Sequence, residues 1–527
     1  WKIKFFKKLK DSLSVKNYKA FVENFIILFL GATTSFSLPP YNYWLLNFLT
    51  FSLLFIILLI NKLKNPKIFF LYGYIFGFGY FISSLYWIPL SLVYDENFKF
   101  LIPIAIIIIP GFLSLFFALA FLIFKIFFDQ NRIFANILIF SLVLGFMEYL
   151  RGMILSGFPW NLFAFSFSAN LEFLQINSLI GIYAFNTFLI TIFVLPAMFF
   201  LKNKKIDFYG LVFVLALILS NYIYGYVKLQ NFKNLKAEDL TSEIKILSTN
   251  IPISRFYSNS DDEQILIKLI NLSNPTPDEK ILFIWPEGII PNTNLKSLKN
   301  EYEYLFEQSF SKNHKIILGV NDDEKKNEEK IFYNTFSVID NKVNVVFKYN
   351  KNKLVPFGEF LPLEIILSKF GLKSLTNNYQ SYSSGTERNL FNDIDNSKIK
   401  ILPLICYEII YSGQLSEDNN YDFIVNLSED GWFGDSIGPH QHFAHTIFRS
   451  IEYGKYTLRS ANNGISAVVD PSGSIIDKIN INNEGAISIK KMTNVDKTLF
   501  SIYGNKIYYL IILLYIFLIF SFKKLKN

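Results

Sequence analysis

The 527-residue chain reads as a membrane α-helical bundle of eight spans joined to an extramembrane layered α/β sandwich. Three observations predict this. Residues 21–228 are almost free of charge outside short breaks. Residues 229–500 have ordinary soluble composition, with short apolar runs alternating with helical patterns. The tail after residue 500 turns apolar again. The chain averages of 51% hydrophobic and 18% charged residues conceal that division, although the charged share already falls below the roughly one quarter of soluble domains. The expected domains are therefore 1–228 with seven transmembrane helices, an extramembrane 229–500, and 501–527 with an eighth helix and a tail.

About 20 apolar residues span a bilayer as a helix. Seven such segments precede residue 230, over 21–37, 42–61, 68–93, 101–128, 135–155, 172–201 and 208–227, and an eighth covers 506–522. The breaks alternate in charge. The N-terminus carries Lys2, Lys4, Lys7, Lys8 and Lys10. Lys62, Lys64 and Lys67 follow the second span, Lys125 and Arg132 border the break after the fourth, and Lys202, Lys204 and Lys205 follow the sixth. The tail holds Lys523, Lys524 and Lys526. The first break is uncharged and the third holds Asp95, Glu96 and Lys99. Basic residues gather on the cytoplasmic side, so both termini are expected in the cytoplasm and 229–500 outside it, which in a Gram-negative cell is the periplasm. No cleavable signal peptide is expected, and the first span reads as a retained anchor. The net charge of +8 reports this orientation and not a nucleic-acid face, which would need basic residues gathered on a folded surface.

Near the end of the fifth span, Glu148 and Arg151 share one helix face, and Gly157-Phe158-Pro159-Trp160 follows. Ionisable groups at membrane depth pair or face a polar cavity. Two readings stand side by side: a lipid-headgroup or docking site using Arg151 and Trp160, or an interfacial ion pair with a tryptophan anchor. In the extramembrane part, strands are expected at 243–249, 281–285, 315–320, 331–339, 342–349, 399–405, 422–427 and 465–470, and helices at 261–273, 296–312 and 442–456. Residues 321–330 mix Lys325, Lys326 and Lys330 with acids and read as a solvated turn. There is no internal repeat.

Three residues stand at the ends of predicted strands, where sites are commonly built: Glu287, Lys351 and Cys406. Cys406 is the single cysteine, so no intrachain disulfide exists. A thiolate is a strong nucleophile, but a free thiol is mostly protonated near neutral pH. A carboxylate can take its proton, and an ammonium can stabilise first the thiolate and then an oxyanion. Each residue also has a bland reading: a small buried hydrophobe, a turn cap and a solvated charge. His314 lies in a basic, exposed-looking stretch, which weakens Ser-His-Asp chemistry. His440, His442 and His445 are read as a polar loop leading into a helix and not as a metal site, since no further ligand set accompanies them.

The flanking strings alter the weighing. They are Trp285-Pro286-Glu287, Tyr349-Asn350-Lys351, Leu354-Val355-Pro356-Phe357-Gly358-Glu359, Ile405-Cys406-Tyr407-Glu408 and Gly431-Trp432-Phe433-Gly434. Further strings are Gln441-His442-Phe443, Arg459-Ser460-Ala461-Asn462-Asn463-Gly464-Ile465-Ser466, Pro471-Ser472-Gly473-Ser474 and, in the membrane part, Glu148-Tyr149-Leu150-Arg151-Gly152. In this order they resemble the apolipoprotein N-acyltransferase family within the nitrilase, or carbon–nitrogen hydrolase, superfamily.

The resemblance implies an α-β-β-α nitrilase-like sandwich and a covalent acyl relay without cofactor or metal. It implies Glu287 as general base, Lys351 as oxyanion stabiliser and Cys406 as nucleophile. Glu359 corresponds to a supporting glutamate, Tyr407 and Glu408 to positions beside the nucleophile, and Trp432 to a tryptophan bordering the acyl site. The implied donor is a phospholipid, with phosphatidylethanolamine expected, and the acceptors are diacylated apolipoproteins at the inner membrane. Two departures stand out: Glu429 where asparagine is expected, and Ser248-Thr249 where a glutamine is more usual. Competing expectations are a membrane-tethered nitrilase-type amidase and a catalytically inactive membrane scaffold or transporter.

Overall fold

A computed structural model describes residues 2–94, 96, 98–201, 205–257, 261–326, 329–362, 364, 369, 381–393, 399–416 and 418–524. Of the charges that set the expected orientation, Asp95, Lys202, Lys204 and Lys526 lie outside these residues.

Eight long helices match the eight expected segments: Lys2–Thr34, Leu45–Ile60, Pro66–Leu85, Ile102–Phe127, Ile133–Met153, Asn177–Val194, Lys205–Lys233 and Lys506–Lys524. Among the described residues, seven are long and apolar enough to cross a membrane, three of them counted with short flanking 3-10 turns. The second, Leu45–Ile60, has only 16 residues, or about 24 Å of rise against a hydrocarbon core of about 30 Å. Glycine permits close helix contacts here. A Cβ on Gly73 would sit 2.4 Å from the Phe117 carbonyl oxygen, and one on Gly79 would sit 2.2 Å from that of Leu28, so small residues let the backbones approach.

The extramembrane part is two six-stranded mixed sheets. The strands are β1 (Glu238–Ser248), β2 (Ile281–Ile284), β3 (His314–Lys326), β4 (Glu329–Ile339), β5 (Val345–Asn350), β6 (Phe391–Asn392), β7 (Lys400–Ile405), β8 (Phe423–Glu429), β9 (Tyr456–Asn462), β10 (Ser466–Val469), β11 (Ile475–Ile479) and β12 (Gly485–Met492). The orders are β12-β1-β2-β3-β4-β5 and β11-β10-β9-β8-β7-β6. Each sheet has a parallel centre, β1-β2-β3 and β7-β8-β9, flanked by antiparallel strands. Apolar residues of both sheets share one core that runs on into the membrane helices. Helices Asp262–Ser273 and Leu295–Ser309 cover the outer face of the first sheet through a second core. Helix Gly438–Tyr453 packs between the second sheet and the membrane helices. The result is the expected α-β-β-α sandwich.

Three local expectations need correction. Residues 321–326 and 329–330 are not a solvated turn but the outer rungs of the β3–β4 ladder, where charges pair across strands, as Lys330 does with Asp323 at 3.4 Å. His314 is fully buried, with Nδ1 accepting from the Ser311 N–H at 3.1 Å. His440, His442 and His445 lie inside helix Gly438–Tyr453, not in a loop before it.

Candidate active site

The sandwich brings three strand ends together. In the first sheet, β2 ends at Ile284 and the chain continues through Trp285 and Pro286 to Glu287, while β5 ends at Asn350, just before Lys351. The second sheet supplies Cys406, directly after β7. Cys406 has φ 47°, a left-handed conformation that side-chain-bearing residues rarely hold and that functional turns commonly store. That turn opens the 3-10 segment Cys406–Ile410. It is secured by Glu408, whose Oε2 accepts from the Ile405 N–H at 2.9 Å.

Lys351 is 1% exposed and bridges two carboxylates. Its Nζ lies 2.9 Å from Oε1 of Glu359 and 3.5 Å from Oε1 of Glu287. Asn334, in β4, donates from Nδ2 to the same two oxygens, at 2.9 Å and 2.7 Å respectively. The other Glu287 oxygen accepts from the Glu429 N–H at 3.0 Å. Glu287 is thus held by donors at both oxygens.

The electrostatics define the resting state. Burial pushes the Cys406 thiol well above its usual range, and the Glu287 charge adds to that, against the pull of Lys351 and a hydrogen bond with Ser428. Burial also raises the Glu287 carboxyl, opposed by Lys351 and reinforced by Glu359. Burial works against the Lys351 charge, but Glu359 and Glu287 overcome it and keep the ammonium protonated. A buried thiol therefore lies within electrostatic reach of a carboxylate whose proton affinity burial raises, and of a fixed cation.

The model for the apolipoprotein N-acyltransferase N-terminal domain matches residues 30–195, and the carbon–nitrogen hydrolase model matches 249–494. An apolipoprotein N-acyltransferase of Rickettsia prowazekii is 32% identical over 91% of this chain and 94% of its own. The chain belongs to the apolipoprotein N-acyltransferase family. The family's enzyme from Rhodopseudomonas palustris is 30% identical, covering 91% of both chains. Among solved structures, a CN-hydrolase superfamily protein from Xanthomonas campestris is 14% identical, covering 48% of this chain and 91% of its own, with a TM-score of 0.33.

The remaining expected site residues fall in three places. Glu408 is fully buried under the Cys406 turn. Its Oε1 accepts from Arg388 at 2.7 Å, Tyr349 at 2.5 Å, the Asn352 N–H at 3.0 Å and the Lys353 N–H at 3.1 Å. Burial opposes its charge, yet Arg388 and these donors hold the carboxyl below the usual range. Glu408 therefore ties the Cys406 turn to the segment carrying Lys351. Tyr407 donates to the Gly157 carbonyl at 3.0 Å, which fastens the same turn to the membrane part. Trp432 lies at a half-buried loop with its ring 5.0 Å from Phe256 and 6.3 Å from Tyr94, the latter in the membrane part. Arg151 and Trp160 are both 2% exposed. Arg151 pairs with Glu148 through both carboxylate oxygens and donates to the Phe158 carbonyl. Trp160 donates to Gln441 Oε1 at 2.9 Å and stacks on His442. Both side chains sit inside the joint between the two parts, one layer behind Tyr407.

Sequence reasoning passed over Asn334, which sits inside an apolar strand run, and the network behind Cys406. There His442 lies with Nε2 3.3 Å from the Cys406 carbonyl oxygen and Nδ1 3.0 Å from Asp430 Oδ1, and Arg459 pairs with Asp430 at 2.8 Å. The quoted strings contained His442 and Arg459 but offered no sign that they meet. His445 turns away to the Trp160 carbonyl at 3.1 Å. Among the described residues, no group of three or more His, Cys, Asp or Glu is placed to hold a metal ion.

Proposed function

We propose that the chain transfers an acyl chain from a phospholipid to the N-terminal diacylglyceryl-cysteine of apolipoproteins, through a thioester on Cys406. Family membership supports the reaction class. One observation carries the residue assignment: a buried ammonium, Lys351, bridges two carboxylates, and with Glu287 it acts electrostatically on the buried thiol of Cys406.

Glu287 accepts the thiol proton as Sγ attacks the sn-1 ester carbonyl. Lys351, held by Glu359, faces the oxyanion that develops. The tetrahedral intermediate expels the glycerol oxygen, which takes the proton from Glu287, and lysophospholipid leaves. The α-amino group of the acceptor then attacks the thioester and gives a proton to Glu287. The C–S bond breaks, an amide forms, and the proton returns to the thiolate.

Phosphatidylethanolamine is the proposed donor. The sandwich faces the periplasm from the inner membrane, with both termini cytoplasmic, in line with the basic breaks on one side. Both substrates carry acyl chains, and extracting a chain costs about 0.8 kcal/mol per CH₂. A site at the membrane joint avoids that cost and limits water, which would hydrolyse the thioester. Trp432, at the loop reaching Tyr94, borders the acyl path, and Arg151 with Trp160 hold the joint on which substrates dock.

Full-length protein incubated with sn-1-labelled phospholipid is expected to form a hydroxylamine-sensitive adduct, discharged by a diacylated lipopeptide. Cys406→Ala should insert normally and form none. Label retained on the alanine variant, or an adduct that the lipopeptide leaves untouched, would sink the proposal.

A further inference from the structure

Glu429 stands where asparagine is expected, and its surroundings give that departure a role. It ends β8 and is 1% exposed. Its backbone N–H binds Glu287 Oε2 at 3.0 Å, while its own carboxylate turns the other way. Oε1 accepts from the Gly431 N–H at 2.9 Å. Oε2 accepts from Asn462 at 2.8 Å and pairs with Arg255.

Arg255, 4% exposed, lies in the 3-10 segment Ile253–Phe256 and closes the loop back to the base. Its Nη2 donates to the Gly288 carbonyl at 3.0 Å and its Nε to that of Ile289 at 3.1 Å. These two residues directly follow Glu287. The guanidinium also stacks on Phe256 at 4.4 Å. From the opposite side Gly319 packs so close that a Cβ there would sit 2.6 Å from the Glu287 Cα. One buried pair therefore grips both the backbone just after the base and the residue whose amide aims its carboxylate.

A buried ion pair adds little net stability over an apolar pair of the same volume, so stability alone does not account for two charges here. Resting on the reading of Glu287 as general base, we propose that Arg255 and Glu429 are a charge-balanced positioning pair that aims the Glu287 carboxylate at the Cys406 thiol. The charged and titratable groups facing Glu287 are Lys351 after β5, Glu359 and Tyr382 from the segments that follow, Cys406 after β7, and this pair from β8 and the 3-10 segment.

The test measures the pH dependence of Cys406 alkylation by iodoacetamide alongside acylation from labelled phosphatidylethanolamine vesicles, on the full chain. Arg255→Met leaves Glu429 without its cation, so the acid limb should move up, by no more than about one pH unit because burial favours the neutral Glu429 carboxyl. Glu429→Gln leaves a buried positive charge, so the limb should move down by a similar amount, the scale of one unpaired charge at this range. The double variant carries no unpaired charge. Its limb should return to the wild-type pH, while acylation stays about tenfold slower because the aim is lost. A merely structural pair would not give opposite shifts that cancel. Limbs that coincide with wild type overturn the proposal. Should both single variants fail to fold, a double variant as fast as wild type overturns it and a slow one supports it. Shifted alkylation limbs without any phospholipid adduct on wild type would refute the acyltransferase reading and leave the positioning pair standing.

Discussion

Two buried charge clusters in this chain differ in arithmetic. At the membrane joint, Glu148 and Arg151 meet one to one, with both carboxylate oxygens bound by the guanidinium at 3.0 and 2.9 Å. At the site, one ammonium faces two carboxylates, and the Lys351–Glu287 contact is the longer one at 3.5 Å. The first cluster is closed: each charge has its full partner, and nothing remains to react. In the second, burial raises the proton affinity of Glu287, Lys351 opposes that rise and Glu359 adds to it, so the second carboxylate offsets part of the pull of the cation. Matched pairs hold geometry, whereas in the trio the second carboxylate leaves Glu287 a better proton acceptor than a one-to-one pair would.

The sharpest way to break the comparison is to remove the cation from each cluster. Lys351→Met should lower thioester formation about 10³-fold, since the oxyanion donor is lost. Burst acylation by labelled phospholipid reads this directly. Arg151→Met should act on stability instead. It strands a buried Glu148, at a cost of about 3–5 kcal/mol, seen as a lowered unfolding temperature in detergent. Adding Glu148→Gln should recover most of that loss. A recovered Lys351→Met activity on adding Glu359→Gln would contradict the contrast, because the trio would then behave as a structural pair.

Glu408 sharpens the same contrast from between the two clusters. Arg388 matches its charge, and four further donors surround it. Glu408→Gln should cost about 1.5–3 kcal/mol, the scale of a charge-assisted hydrogen bond. The fold holds this carboxyl below its ordinary pKa of 4.5. Its stabilisation is therefore present above that value and lost as pH falls through the lower folded value. The stability gap between wild type and variant should close at acid pH, as measured by denaturant unfolding.

What could be read in advance follows the range of the interactions. The spans were legible because an apolar run of bilayer length is a local property. The strands leading to Glu287, Lys351 and Cys406 were legible for the same reason. β9 was not, because its fully buried residues include Arg459 and Asn462, whose partners lie elsewhere in the chain. His314 looked exposed among lysines, yet its ring is satisfied by the Ser311 N–H and lies against the Thr276 carbonyl. Glu429 was visible as a departure, but Arg255 lies 174 residues away, and only the sandwich closes that distance. Glu287, Lys351 and Cys406 could be singled out from their flanking strings, whereas Arg255 and Asn334 around them could not.

The smallest effect tests the mismatch most directly. Burial, and then Glu359, raise the Glu287 carboxyl above the ordinary 4.5, with Lys351 opposing. Protonated Glu287 cannot accept the thiol proton, so acylation must fall as pH drops through that raised value. Below it, the rate should decline about tenfold per pH unit, since one deprotonated base is required. Glu359→Gln removes one negative charge from the trio, so Lys351 then acts on Glu287 alone. The acid limb should move to lower pH, while the maximal rate falls only modestly because Lys351 loses a partner but keeps its charge. A limb that stays in place would mean that desolvation alone sets the base, and that the two-to-one charge ratio has no part in the chemistry.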